Sequence, residues 1–137
     1  TLEYVSATLL DMEWHSLPAD APLQDIEKFE QDVLTKHGVN VPFVPPRYKS
    51  AFFSHSMGGG YSAGYYAYMW SEILAADAFA YVQEQGGLKR ELGDKYRKEI
   101  LEVGNSRDLM ESFKAFRGQE PDTSALLKRR GLTATVE

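Results

Sequence analysis

The sequence predicts an all-α fold, on three observations. Apolar residues recur at helical spacing along most of the chain. Glycines stand where those periodic stretches end, at positions 38, 86, 87, 104, 118 and 131. No alternating strand pattern extends beyond a few residues near 39–44. With 137 residues the chain has the size of one ordinary domain, and 1–137 reads as a single helical segment with a modest core.

The elements follow in chain order. Residues 2–16 read as a helix, with Leu2, Val5, Leu9, Met12 and His15 near helical spacing and Leu17-Pro18 as the stop. Residues 25–37 read as a second helix, with Ile26, Phe29, Val33 and Leu34 on one side and Gly38 at its end. His15 and His37 suit helix-surface or helix-end roles. The stretch "GVNVPFVPPRYKS" then carries three prolines in five residues, which makes it an extended connection. A long helix is expected from about Tyr61 to Gln85, apolar on more than one side and so central in a helical assembly. Residues 89–102 form another helix, with Leu92, Tyr96 and Ile100 as the inward stripe. In "GNSRDLMESFKAFRG" Gly104 is a stop, Asn105 or Ser106 a cap, and Gly118 the end of the helix. A short last helix covers about 122–130, with Lys128-Arg129-Arg130 complementing its dipole on a solvated surface.

Composition excludes several classes of function. There is no cysteine, so disulfides and thiolate chemistry are absent, and the composition fits a reducing, cytoplasmic compartment. The net charge is −5, with four Lys/Arg against eleven Asp/Glu in residues 1–85. Nothing there resembles a phosphate-binding surface, so no nucleic-acid partner is expected. "TLEYVSATLL" lacks the basic region of a signal peptide. The uncharged run 50–71 is long enough to span a bilayer. Its four glycines, five serines, four tyrosines and histidine mark a buried polar site instead, and no membrane partner is expected.

That run contains "SHSMGGGYSAGYYAYMW". If Tyr61 starts the long helix, Tyr61, Tyr65 and Tyr68 fall at i, i+4 and i+7, within an arc of about 60°. Glu72, Ala75 and Phe79 continue that face, while Trp70, Ile73 and Leu74 point the other way and pack. A phenol has a pKa near 10, so at neutral pH it is an uncharged donor suited to a developing oxyanion. The same stripe also reads as amphipathic core with hydroxyls at the rim. Gly58, Gly59 and Gly60 allow a backbone to pass close to a ligand beside a helix N-terminus, or form a turn needing positive φ. His55 can donate to a substrate carbonyl or sit in a core. No two histidines have zinc-ligand spacing and "His-Glu-x-x-His" is absent, so no metal ligand is assigned.

At these residues the chain resembles a known family. "RYKSAFFSHSMGGGYSAGYYAYMWSEILAADAF" closely resembles the corresponding stretch of the bacterial peptidyl-dipeptidases, of the thimet oligopeptidase and neurolysin family of zinc metallopeptidases. "YVSATLLDMEWHSL", "GGLKRELGDKYRKEIL", "GNSRDLMESFKAFRGQEPD" and "LLKRRGL" extend the likeness over nearly the whole chain. The resemblance implies the C-terminal part of a larger helical catalytic domain that removes C-terminal dipeptides from short peptides. It implies zinc in the intact enzyme, held by elements upstream of the matched portion and by none of the residues here. It implies that His55 contacts bound peptide, that Gly58, Gly59 and Gly60 form a mobile loop beside the active site, and that Tyr61 contacts substrate from that loop. Tyr65 and Tyr68 would reach the scissile region, with Tyr68 and His55 as the catalytic pair: Tyr68, with His55 or Tyr61, would donate to the oxyanion of the tetrahedral intermediate. Tyr66 receives no role.

The chain opens on Thr1 inside a helical pattern, which fits a piece of something longer. Two expectations follow: no peptidase activity in isolation, and exposed apolar surface where the remainder of the parent chain packs, favouring self-association. The alternative reading is a stand-alone helical module that holds an extended peptide without cleaving it.

Overall fold

The computed structural model describes residues 1–133; residues 134–137, the end of the expected segment, lie outside them. Among the described residues the regular elements are helical, as the periodicity requires. Where a short extended stretch was expected, Val41 and Val44 form an isolated antiparallel bridge. The chain divides into two compact units, Thr1–Tyr68 and Met69–Glu137.

In the first unit α1 spans Leu2–His15 and α2 spans Ile26–Lys36. The Asp25 carboxylate caps α2 by accepting the Lys28 N–H at 2.8 Å. Leu10 of α1 meets Val33 and Leu34 of α2, with Phe29 and Val39 against them. Trp14 stacks on Phe29 at 3.9 Å and donates its indole N–H to Ser50 Oγ at 2.7 Å. The buried face of α1 is not the predicted stripe. Ser6, Ala7, Leu10 and Asp11 are buried, while Met12 is exposed. The rotation has a physical cause: Ser6 and Ala7 are small enough for close approach, and Asp11 finds backbone donors only on that side.

The proline-rich connection leads into a 3-10 turn, Ser50–Phe52, and a one-turn helix α3, Ser54–Met57. The long helix α4 spans Ala67–Glu84 and so starts six residues later than predicted. Ala63 takes φ +53, a left-handed conformation that no helix continues through. Asp11 accepts the N–H groups of Ala63 and Tyr65, each at 3.0 Å, and holds this stretch as turns. The uncharged run is likewise less buried than expected. Only Ser50, Phe53, Ser56 and Tyr65 within it are buried.

In the second unit α4 ends at Gly86 and Gly87, both at positive φ. α5, Arg90–Tyr96, continues into a π-helical turn, Arg97–Leu101; α6 spans Leu109–Arg117 and α7 spans Ser124–Arg129. Asp108, rather than Asn105 or Ser106, caps α6, accepting from Met110 N at 2.8 Å and Glu111 N at 3.0 Å. The Ser106 hydroxyl instead donates to the Val103 carbonyl at 2.7 Å. Phe116 is the centre of this unit, edge-on to Tyr81 at 5.4 Å and to Tyr96 at 5.3 Å. The expected inward stripe is not buried: Leu92 and Ile100 are half-buried, Tyr96 is exposed, and the three line two apolar hollows of about 330 and 280 Å³ rather than a sealed core.

Two further expectations do not hold. Trp70, placed on a packed face, is half exposed, and α4 buries only Ala76 and Asp77. An 18-residue helix has more apolar circumference than helices of 7, 9 and 6 residues can cover. Arg129 and Arg130 are not simply solvated, because both donate to the Glu72 carboxylate. No helix among the described residues is long and apolar enough to cross a membrane.

Candidate functional site

The first unit gathers the predicted site residues around one buried carboxylate. Asp11 is fully buried on α1. Its Oδ1 accepts the Ser56 hydroxyl and the Ala63 N–H, and its Oδ2 accepts the Tyr65 N–H. His15 Nδ1 lies 3.0 Å from the same Oδ1. A buried carboxylate is tolerated only when several donors satisfy it, and here Ser56, Ala63 and Tyr65 supply them.

Phe53, Tyr65 and Ala7 form the adjoining apolar cluster, with Tyr4 and Tyr48 packed against it. The Tyr4 hydroxyl donates to the Tyr65 carbonyl at 2.6 Å, and the two rings stack at 4.9 Å. Tyr48 stacks on Phe53 at 5.1 Å and sits 5.3 Å from the His55 ring. Around His55 the rings of Tyr61, Tyr65 and Tyr68 lie at 6.0, 5.8 and 6.2 Å. Tyr61 and Tyr68 stack at 5.3 Å, and Tyr65 meets Tyr68 edge-on at 5.4 Å.

The four residues therefore come together, though not as a helical stripe. Tyr61 and Tyr65 precede α4, and only Tyr68 belongs to it. Their exposures differ: Tyr61 and Tyr68 are open to solvent at 40% and 43%, while Tyr65 is buried at 3%. Burial, then the neighbouring Tyr48, pushes the Tyr65 phenol above its ordinary value. The hydrogen bond with Tyr61, followed by desolvation, does the same for Tyr68. Tyr66 is exposed and outside these ring contacts. His55 Nδ1 is buried with no hydrogen-bond partner among the described residues. Such a group costs about 1–3 kcal/mol in a folded chain unless something engages it.

The glycine triplet is not at a helix N-terminus, because α4 begins at Ala67. It folds back on α3 instead. Tyr61 N donates to the His55 carbonyl at 3.0 Å, and Gly58 N to the Ser54 carbonyl at 3.0 Å. A Cβ on Gly59 would meet Ser54 O at 2.9 Å and the His55 backbone at 3.1 Å. Gly60 has φ +82, which a side chain disfavours. This close approach places His55 beside Tyr61 and leaves an open pocket of about 370 Å³ lined by Ser54, His55, Gly58, Gly59 and Tyr61. Gly59→Ala is expected to destabilise the chain by about 1–3 kcal/mol, as overpacking against a backbone does. Thermal unfolding followed by circular dichroism checks this, and an unchanged midpoint would refute the packing argument.

The sequence reading missed Asp11, Tyr4, Tyr48 and Ser56. For Asp11 a signal existed: with Ala7, Leu10 and Trp14 it makes an i, i+3, i+4, i+7 set, and a carboxylate among those residues demands buried partners. Tyr48 and Ser56 lay inside the resembling stretch and carried no spacing signal of their own.

Among the described residues no three of His, Asp and Glu are grouped so as to hold a metal ion. The site is an array of neutral donors and ring faces with an unpartnered imidazole nitrogen. It can grip an extended polar ligand and donate to a developing negative charge.

The chain is similar to known peptidases over most of its length. Residues 1–132 match peptidase family M3. The dipeptidyl carboxypeptidase of Escherichia coli is 46% identical over 130 residues, 95% of this chain and 19% of that protein. That of Salmonella typhimurium is 48% identical over the same shares. Oligopeptidase A of E. coli is 48% identical over 80 residues, 58% of this chain and 12% of that protein. The chain spans about a fifth of the length of the two dipeptidyl carboxypeptidases it matches.

Proposed function

The chain belongs to peptidase family M3, and from that membership we propose that it is the C-terminal, substrate-facing part of a zinc metallopeptidase that releases C-terminal dipeptides from short peptides. The substrate reading is supported by the likeness to dipeptidyl carboxypeptidases over 95% of the chain. The observation that carries the chemical reading is the cluster of His55, Tyr61 and Tyr68, with two solvent-exposed phenols beside a buried imidazole nitrogen.

The residues described here do not fit a zinc site. The remainder of the parent chain would supply the metal site. What this chain contributes is substrate-side. Gly58, Gly59 and Gly60 bring the backbone up against the peptide. Tyr61 and His55 hold the peptide from the loop, and Tyr65 backs them from the core. Tyr68 donates its phenolic proton as a hydrogen bond to the carbonyl oxygen when that oxygen gains charge. The exposed side chains of Trp70, Phe79 and Leu88 meet the rest of the parent chain, and drive self-association when it is missing.

One experiment tests both halves of the reading. Short peptides are offered to the parent chain and to this chain alone, each with zinc, and the products are separated by mass. The parent should release dipeptides from the C-terminus, and this chain alone should release nothing. Turnover by the chain alone would sink the assignment of the metal site to the remainder. Products other than C-terminal dipeptides would sink the substrate reading.

A further inference from the structure

We propose that Asp11 is a positioning residue for the tyrosine site, holding the two stems of the glycine loop in the register that puts His55 against Tyr61 and Tyr68. The inference rests on the reading of that site as the substrate face. Ser56 follows His55 and precedes the triplet; Ala63 and Tyr65 come after it. One buried carboxylate accepts from all three, so it clamps the loop at both ends. The other hydrogen bonds of the loop are local: the Tyr61 and Gly58 amides bond α3, the Gly64 N–H donates to the Tyr61 carbonyl at 2.8 Å, and the Ser62 hydroxyl bonds the Ser56 carbonyl at 2.7 Å.

The clamp also holds a conformation that the local sequence disfavours. Ala63 is at φ +53, where an L side chain is strained and glycine is not. Oδ1 accepts its N–H at 3.0 Å in that conformation. Directly after this bend the Ala67 N–H reaches the Gly64 carbonyl at 3.1 Å and α4 begins, which aims Tyr68. Asparagine cannot replace the acid, because its amide NH₂ would face an N–H donor on one side. His15 Nδ1 lies 3.0 Å from Oδ1, and its hydrogen-bond partner is the Asp11 main-chain carbonyl at 2.8 Å.

The test uses the parent enzyme and the release of C-terminal dipeptides, with rates scaled to the folded fraction. Asp11→Asn should lower kcat by about 100-fold, the loss expected when a reacting group moves by about 1 Å. KM should rise too, because Tyr61 and His55 hold the peptide from the same loop, but by less than kcat falls, since the phenol of Tyr68 acts in the transition state. Adding Ala63→Gly should restore about tenfold of the lost kcat, because glycine adopts the bend without the clamp. Ser56→Ala removes one donor only and should lower kcat in the same direction, which decides the matter where Asp11→Asn does not fold. An unchanged kcat in Ser56→Ala or in folded Asp11→Asn overturns the proposal, as does a loss of equal size with and without Ala63→Gly. Amide hydrogen exchange of Ala63 and Tyr65 separates this from the functional reading. If the parent releases no dipeptides, that reading fails, and the clamp stands or falls on whether Asp11→Asn or Ser56→Ala speeds exchange at these amides.

Discussion

Tyr68→Phe in the intact parent enzyme is expected to lower kcat by about 10²–10³-fold with KM nearly unchanged, as loss of one oxyanion donor does. Tyr68 is 43% exposed, and its ring is held at 5.3 Å by the stacked ring of Tyr61. Phenylalanine keeps that stacking and the edge contact with Tyr65, so only the hydroxyl is lost. The Tyr61 hydrogen bond, then desolvation, raises the Tyr68 phenol above its ordinary value. It therefore stays protonated through neutral pH, and any loss of kcat from its ionisation should fall above the ordinary tyrosine range. Steady-state kinetics across pH check both statements. An unaltered kcat in Tyr68→Phe would remove this residue from the chemistry. Tyr66→Phe is the control, expected to leave kcat unchanged because Tyr66 is exposed and outside the ring cluster.

Asp77→Ala should cost about 3–5 kcal/mol of stability, the penalty for leaving a buried charge without its partner. Asp77 is 2% exposed and accepts Arg117 Nε at 2.9 Å and the Asp122 N–H at 3.1 Å. Arg117 is itself largely buried, over the Tyr81 ring at 5.1 Å, with Glu84 at 3.4 Å as its second and more exposed partner. Removing the aspartate strands the guanidinium and one backbone donor together. Chemical denaturation read on Trp70 fluorescence, in a Trp14→Phe background, measures the loss in the unit that holds the pair. A loss below about 1 kcal/mol would mean that Glu84 and solvent compensate, as they do for surface pairs.

Much of the fold was legible because local rules suffice for it. The spacing over 2–16 and 25–37 gave α1 and α2 within a residue at each end, and Gly86-Gly87, Gly118 and Gly131 end helices as their φ freedom predicts. Local rules failed where a distant residue outbid them. Periodicity from Tyr61 onward is helical, yet Asp11, more than fifty residues earlier, takes the Ala63 and Tyr65 amides and turns the chain. Asp108 won the α6 cap over Asn105 and Ser106 because its carboxylate reaches two amides at once.

The candidate site divides along the same line. The amino-acid sequence by itself determined the helical class, the family likeness and the identities of His55, Gly58, Gly59, Gly60, Tyr61, Tyr65 and Tyr68, because composition, spacing and motif order are properties of the chain alone. Only the tertiary structure decided that these residues meet around a turn rather than along a helix face. It also decided that Tyr65 is buried while Tyr61 and Tyr68 are open, and that Asp11 lies beneath them. Those outcomes depend on hydrogen bonds and ring contacts between α1 and residues 48–68. A buried carboxylate must find its donors wherever the folded chain presents them, and no sequence period records where that will be.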